Sequence, residues 1–430
     1  MKRKIENQLL EWKENHNRTC LLVKGARQVG KTYSIDRFAR NHYKHYTYLN
    51  FEENPAYKTI FDGDLDVETL IKQISLRVSD AELEPGETIL FLDEIQNCPR
   101  AHTALKFLAI DGRFDVVASG SMLGIHYKDV PSYPVGYVDH LDMHSMDFEE
   151  FLWANGVKEA SVEDVRTYYE KREELPKAMH ERMMELFREY IVIGGMPRVV
   201  REFVQTHNFA KAFAIQKGIL SDYMDDIAKY AEGAEKTKAR ACFLSIPRHL
   251  AKDYKKFRYS LVEPKATYRK YGGSLMWLYD AGIINFCYNL SEPALPLAGN
   301  AKSDVFKVYM RDTGLLVAML DEGIAEDIID GNLGIYKGAI YENIIADIFA
   351  KNGKKLYYFE KNSKVEMDFF IRYQKTATAV EVKSAGKATS KSMTSMIQNY
   401  GVMHGIRLTA GNVAGNDTVE NLPLYMAMFL

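Results

Sequence analysis

The chain has 430 residues, 47% hydrophobic and 27% charged, with a formal net charge of −2. That is enough apolar mass for two or three domains, and the near-neutral balance excludes a chain-wide attraction to nucleic acid or anionic membrane, so any polyanion site has to be a local patch. The four cysteines, Cys20, Cys98, Cys242 and Cys287, include no CxxC pair, which argues against zinc and disulfide frameworks and for buried thiols in a reducing, cytoplasmic compartment. Met1-Lys-Arg-Lys has no apolar stretch behind it, and no apolar run reaches the ~18 residues of a membrane span.

In chain order, the first informative element is an apolar run from Thr19 to Lys24, which reads as a buried parallel strand. The string GARQVGKT follows at once, Gly25 to Thr32, and then a helical stretch to about Tyr43. Strand, GxxxxGK[ST] and helix together make a phosphate-binding loop. Gly25 and Gly30 let the backbone turn so that the N–H groups of Ala26, Arg27, Gln28 and Val29 converge on phosphate, helped by the helix N-terminus. Lys31 would bridge β- and γ-phosphates, Thr32 would ligate Mg²⁺, and Tyr33 lies beside the bound nucleotide, expected to be ATP.

Tyr46–Phe51 reads as a second strand, and Thr88–Asp93 as a third that ends in two carboxylates. Asp93 is expected to hold Mg²⁺ through water, and Glu94 to activate the attacking water, which separates a hydrolase from a plain nucleotide switch. A fourth strand, Asp115–Ser121, places Ser119 or Ser121 to contact the γ-phosphate or that water.

The runs GARQVGKT, LFLDEIQNCP, VVASGSM and DMHSMDFEEFL, followed by YIVIGGMP, resemble a large prokaryotic family of AAA-type ATPases. Its members carry a C-terminal domain of unknown function. The resemblance covers nearly the whole chain and implies an α/β fold: a P-loop core over 1–145 and a helical lid over 146–232. In that picture Gly194-Gly195-Met196-Pro197 lies in the lid near the nucleotide, with Pro197 and Arg198 among its contacts. Arg198 and Arg113 are rival arginine fingers, and a homo-oligomer is possible.

Phe148 to Val204 reads as helical, with a charged solvated helix and turn over 161–177. Between Lys236 and Gly273 eleven Lys and Arg face only Asp253 and Glu263. Two helix-spaced segments and then a strand-like run at Ile283–Tyr288 give the order of a winged helix, expected over 233–300. The resemblance favours the same module. Its basic face would contact double-stranded DNA.

From Lys337 a periodic helix carries Glu342. Strands are expected at Lys355–Phe359, Val365–Ile371 and Thr378–Lys383, then a helix and a last strand near Gly405–Leu408. Asp368, Glu381 and Lys383, with Glu342 upstream, resemble the PD-(D/E)xK nuclease constellation, although Val365-Glu366-Met367 lacks its proline. Strand alternation puts Glu381 and Lys383 on one side. Asp368, Glu381 and Glu342 would then bind divalent metal, with Lys383 orienting water. The family's C-terminal domain, here 301–430, is thought to be restriction-endonuclease-like. The expected protein is an ATP-hydrolysing AAA-type ATPase that controls a DNA-binding, nuclease-like module. Two alternatives stand beside it: a switch whose nuclease-like domain is catalytically dead, and an ATP-regulated, Mg²⁺-dependent DNA nuclease.

Overall fold

The computed structural model describes residues 1–15, 19–121, 134–230, 234–252, 255–331, 337–361, 365–383 and 391–430. Two units emerge, Lys2–Ser145 and Met146–Leu430.

The first unit runs α1 (Ile5–Glu14), β1 (Cys20–Gly25), α2 (Lys31–His42), β2 (His45–Asn50), α3 (Val67–Arg77), β3 (Thr88–Asp93), α4 (Pro99–Asp111), β4 (Asp115–Ser121) and β5 (Val138–Asp142). Its five strands pair in parallel in the order β2-β3-β4-β1-β5. Strand side chains alternate faces, so each apolar strand feeds two cores. Leu22, Leu90 and Leu92 pack with Phe51, Ile74 and Leu105 on one side. Leu21, Val23, Ile89 and Phe91 pack with Ile35 and Phe38 on the other. Both faces of the sheet are therefore covered, as a parallel sheet requires. The four strands expected from sequence all form. Strand β5 was missed because Val138-Asp-His-Leu-Asp142 breaks up its apolar residues with charge, which an edge strand tolerates.

The second unit opens with α5 (Phe148–Ala154). Asp147 and Glu150 close a reciprocal capping box on it, satisfying two of its otherwise unbonded N–H groups. Then come α6 (Glu159–Lys171), α7 (Lys177–Ile193), α8 (Pro197–Thr206), α9 (Phe209–Tyr230), α10 (Ala234–Leu250), α11 (Tyr259–Val262) and α12 (Tyr268–Asp280). Next follow β6 (Ile284–Leu290), β7 (Ala301–Met310), α13 (Thr313–Ala318), α14 (Ile324–Asp330), α15 (Lys337–Lys351), β8 (Leu356–Lys361), β9 (Val365–Tyr373) and β10 (Thr376–Val382). The unit ends with α16 (Lys391–Tyr400), β11 (His404–Thr409), β12 (Ala414–Gly415) and β13 (Val419–Pro423).

Its eight-stranded sheet has the order β12-β13-β11-β10-β9-β8-β6-β7 and is mostly antiparallel. The strand expected as a wing is β6. It pairs antiparallel with β7 and parallel with β8, inside the sheet that carries Asp368 and Glu381. Six of its seven residues are buried, so it needs cover on both sides, which a solvated wing cannot provide. A boundary at 300/301 therefore separates two strands paired along their length.

The chain enters this second unit at a tight junction. Met146 N–H donates to the Gly195 carbonyl at 2.7 Å. The Met146 carbonyl accepts from Tyr190 Oη at 2.8 Å and Lys351 Nζ at 3.1 Å. A Cβ on Gly195 would lie 1.9 Å from that carbonyl oxygen, and one on Gly194 would lie 2.2 Å from Asp312 Oδ1. Gly195 N–H in turn donates to Asp312 Oδ2 at 2.8 Å. The glycine pair is needed because backbone and carboxylate come this close.

Candidate nucleotide site and C-terminal carboxylate cluster

The loop from Gly25 to Thr32 joins β1 to α2 at the C-terminal edge of the parallel sheet. Gly25 cannot carry a side chain, since a Cβ would stand 2.3 Å from the Met143 carbonyl oxygen. Gly30 caps α2 in the left-handed region, φ +95°, where only glycine is free of strain. Gln28 is also left-handed, at φ +65°. Lys31 is buried and folds back to donate to the Gly25 and Ala26 carbonyls, each at 3.0 Å. Burial lowers its pKa, while the charges of Glu94 and Asp93 oppose that change. Val29 is buried, Arg27 pairs with Glu52 at 3.7 Å, and Tyr33 is exposed on the first turn of α2.

Asp93 is the meeting point of three strands and a helix. Its Oδ2 accepts from Thr32 Oγ1 at 3.0 Å and Tyr48 Oη at 2.9 Å, with Asn50 Nδ2 at 3.4 Å. Its Oδ1 accepts from Ser119 Oγ and, at 3.1 Å, from Glu94 N–H. Strand order explains the convergence: β3 lies between β2, which brings Tyr48 and Asn50, and β4, which brings Ser119. Tyr48 and Asn50 were not singled out from sequence. Their alternate positions on β2 were the available signal, but that β2 neighbours β3 is a matter of tertiary pairing. The Ser121 side chain lies outside the described residues.

Glu94 follows β3 in a left-handed conformation, φ +53°, a strain of roughly 1 kcal/mol or more for a non-glycine residue. Burial raises its pKa, and a hydrogen bond from Gln96 Nε2 works against the rise. Arg113, one of the two finger candidates, precedes β4 at the opposite edge of the sheet and is tied to Asp111 at 2.8 Å and Glu68 at 2.9 Å. Pro197 and Arg198 belong to the second unit. There Pro197 opens α8 and Arg198 is exposed, while Gly194 and Gly195 are taken up by Asp312 and Met146.

The C-terminal candidates are brought near one another, but not as ligands of one ion. Glu342 on α15 accepts from Lys255 Nζ at one oxygen. Its other oxygen accepts from Tyr309 Oη at 3.0 Å and lies 3.7 Å from Lys307 Nζ. Lys307, buried on β7, also donates to Glu366 at 2.7 Å. Glu381 pairs with Lys383 at 3.1 Å and Arg407 at 3.5 Å. Asp368 accepts from Val382 N–H at 2.8 Å. Burial, then the neighbouring Glu342 charge, pushes the Asp368 carboxyl well above its usual range. Burial would raise Glu342 too, but the Lys307 and Lys255 ammoniums hold it below.

A divalent ion needs several carboxylate oxygens converging at short distance. Among the described residues, the one group of three His, Cys, Asp or Glu close enough for that is His45, Glu84 and Glu87. Lys44 already ion-pairs with both of those glutamates, at 3.3 and 2.6 Å. The expected set of Glu342, Asp368 and Glu381 does not fit a metal in this structure, because protein cations take the oxygens of Glu342 and Glu381. Lys255, Lys307 and Tyr309 were missed: they are distant in sequence, and one of them was counted as part of the basic surface.

On that surface, Lys236, Arg240, Arg248, Lys252, Arg258, Lys265, Arg269 and Lys270 are exposed around α10 to α12. Lys255 is not available to a polyanion there, being spent on Glu342.

A family model described as an AAA domain matches residues 17–152. Residues 17–152 form an AAA-type P-loop ATPase domain. This ATP-binding domain is followed by matches to two domain families of unknown function, DUF8612 over 184–325 and DUF4143 over 337–425. No curated protein matches the chain. Among solved structures, a Walker-type ATPase of Pyrococcus abyssi is similar at 14% identity, covering 74% of this chain and 95% of its own, with a TM-score of 0.45. The Orc1 protein of Aeropyrum pernix, solved in complex with DNA, shares 12% identity over 76% of this chain and 91% of its own, TM-score 0.30. AMPPCP-bound DnaA from Aquifex aeolicus shares 11% over 64% and 86%, TM-score 0.28. No helix among the described residues is long and apolar enough to cross a membrane.

Proposed function

We propose that the AAA domain hydrolyses ATP with Mg²⁺ and that its nucleotide state controls the second unit. The observation that carries this reading is the convergence of Thr32, Ser119 and the Glu94 N–H on the single buried carboxylate Asp93. A hydroxyl and a carboxylate are hard oxygen donors that suit Mg²⁺. Thr32 and Asp93 would hold it, and it would neutralise phosphate charge. Lys31 releases the Gly25 and Ala26 carbonyls and turns to the β- and γ-phosphates, and the loop N–H groups receive the phosphate oxygens. Glu94, beside Asp93, takes a proton from the attacking water.

The same loop is bonded to the segment that leaves the unit. Met143 N–H donates to the Lys24 carbonyl at 2.7 Å, and Arg3 joins Val29 to His144. A loop rearranged around nucleotide therefore pulls on the residues that lead into the second unit. The test is Glu94→Gln in the full chain. It should bind MgATP as the wild type does and release phosphate at least ~100-fold more slowly, the scale of a lost general base. Unchanged turnover would sink the assignment.

For the second unit, a specific observation favours the reading without metal catalysis. The order α15-β8-β9-β10-α16-β11, with Glu342, Asp368, Glu381 and Lys383 on it, supports a restriction-endonuclease-like domain. Lys255 and Lys307 on Glu342 support one that serves as a scaffold, binding double-stranded DNA through the exposed lysines and arginines of α10 to α12. Titration with duplex DNA at two salt concentrations is the check: affinity should fall steeply with salt. Metal-dependent plasmid cleavage, lost in Asp368→Ala, would restore the nuclease reading.

A further inference from the structure

A cavity of about 560 Å³ opens inside the second unit between α9 and α14. The helices leave this space because α14 rests on α7, whereas α9 rests on α8 and α13. The two walls also carry only the methyl groups of Ala210 and Ala325 where larger side chains would fill it. Burial is graded through the cavity. Val192 and Ile193 at the end of α7, Val317 on α13 and Gln216 on α9 are buried at its base. Phe209, Phe213 and Ile329 are half-buried along its sides. Phe209 packs against the Phe203 ring of α8, 4.8 Å between centroids, so that wall is in place before any ligand arrives. The size falls within the roughly 300–1,000 Å³ usual for small-ligand sites, which are likewise mostly apolar and often lie between helices.

The charge around it has one sign. Among the described residues, every ionisable side chain that lines the cavity is an acid: Asp321, Glu322, Glu326 and Asp330. All four are exposed and lie on α14 or in the turn before it, so the negative charge is confined to one wall. Glu322, Glu326 and Asp330 have no cationic partner among the described residues. The α9 wall is apolar. Lys217 stacks over the Phe213 ring at 5.0 Å and is not one of the lining residues. At the base, Gln216 Nε2 donates to the Val192 and Ile193 carbonyls at 2.8 and 3.0 Å, while its Oε1 accepts from no described residue. Both amide hydrogens are thus used, and the side chains at the base offer an acceptor but no free donor. Neither wall nor base supplies a side chain that would neutralise an anion.

We propose that this cavity binds a small organic cation, a molecule with an aliphatic or aromatic body and a protonated amine. The body lies on the apolar base and against Phe209 and Phe213, and the ammonium faces the carboxylates of α14. Removing the apolar body from water supplies most of the affinity. The carboxylates are exposed, so each adds little to that affinity. Their effect is selection: a neutral ligand of the same shape forgoes the attraction, and an anion meets like charge with no donor to offset it. None of the lining residues belongs to the nucleotide loop or to the Glu342 cluster, so this is a separate site on the second unit and does not depend on the hydrolytic reading.

The test titrates the full chain with three probes of one shape, followed by ligand-observed NMR. They are diphenylpropylamine, with both rings on the carbon farthest from the amine, and the alcohol and carboxylate that replace its amine. The amine should saturate one site with a Kd of about 1 mM or tighter, the range open to a ligand of this size. The alcohol should bind about threefold more weakly, and the carboxylate more weakly still. In the double variant Glu326→Gln, Asp330→Asn the amine should lose its advantage over the alcohol, with alcohol binding unchanged. Ala325→Phe fills the cavity from α14 and should weaken amine and alcohol alike, at least about tenfold, as expected when the apolar body is shut out. Should that variant fail to fold, Ala210→Phe fills the cavity from the opposite wall. Three results would overturn the proposal: an amine that does not saturate, a carboxylate that binds as well as the amine, or amine binding that survives a filled cavity. A basic amphipathic peptide of leucine and lysine that binds where the amine does not would also overturn it, and would assign the groove to a protein partner.

Discussion

Arg3 Nη1 donates to the Val29 carbonyl of the phosphate loop at 2.9 Å, while its Nη2 donates to the His144 carbonyl at 2.8 Å. The side chain is buried. One guanidinium thus fastens the loop to the segment that leads out of the first unit. Hydrogen bonds from a charged donor each contribute about 1.5–3 kcal/mol. Arg3→Met keeps much of the aliphatic volume and strands both carbonyls. It should lower the melting temperature of the first unit and weaken MgATP binding together. Calorimetric melts with and without MgATP check both; a variant that melts and binds as wild type would remove Arg3 from the coupling.

Asp93→Asn retains an acceptor for Thr32 and Tyr48 but discards the charge. Nucleotide binding in EDTA should be little changed, whereas the gain in affinity on adding Mg²⁺ should shrink by at least about tenfold, or 1.4 kcal/mol. Fluorescent ATP titrations in the two buffers make the comparison. An undiminished Mg²⁺ effect would mean that Asp93 is not on the metal's side of the site.

His102 on α4 gives the first unit an acid limit. It is buried, and burial, reinforced by the charges of Lys24 and His140, pushes its pKa down to about 4 from 6.5. The unfolded chain therefore takes up a proton that the folded unit refuses. Stability is full above about pH 6.5 and declines as the pH falls toward 4, by roughly 3 kcal/mol when fully expressed. Urea melts between pH 7 and 4.5 should show the decline, and His102→Leu should flatten it. An equal slope in the variant would place the acid sensitivity elsewhere.

Lys307 is fully buried between Glu342 and Glu366. Removing one partner of a buried ion pair typically costs 3–5 kcal/mol, about the scale expected for Lys307→Met. Added Mn²⁺ should leave the melting of the wild-type second unit unchanged, because the oxygens of Glu342 are occupied by ammoniums and a phenol. A clear stabilisation by Mn²⁺, lost in Glu342→Gln, would show that the ion displaces Lys255.

Gly195→Ala would drive a methyl group to within 1.9 Å of the Met146 carbonyl oxygen. Backbone must shift on one side or the other, so the substitution should destabilise the second unit by more than about 3 kcal/mol, in the range reserved for severe steric conflict. The readout is a thermal melt followed by the tyrosine signal of that unit. Near-wild-type stability would mean that the GGMP turn is more pliant than its contacts imply.

Much of the first unit was legible in the sequence because its signals are local. An apolar run, a glycine loop and a helix start occupy neighbouring positions, and the chemistry of GARQVGKT depends on backbone N–H groups set by those same residues. The carboxylates at Asp93 and Glu94 end an apolar strand and can be read the same way. Tyr48 and Asn50 were in plain view on β2, but their importance depends on Asp93, on another strand. Arg3 was unreadable for a similar reason: its acceptors are main-chain carbonyls of Val29 and His144, which carry no sequence mark.

The sequence by itself determined that a GxxxxGK[ST] loop begins at Gly25, that Asp93 ends a buried strand with Glu94 directly after it, and that Glu342, Asp368 and Glu381 lie on a helix and two strands of one later fold, with Lys383 directly after the second. Local backbone geometry and side-chain alternation suffice for that. Only the tertiary structure decided what each charge faces. Strand order delivered Tyr48, Asn50 and Ser119 to Asp93. Pairing of β6 with both β7 and β8 absorbed the expected wing into the sheet. Lys255 and Lys307 reached Glu342 from positions 87 and 35 residues away, turning an expected metal site into one neutralised by the protein's own cations. Electrostatic partners act through space over a few ångströms, and one-dimensional spacing does not encode which ammonium will be there.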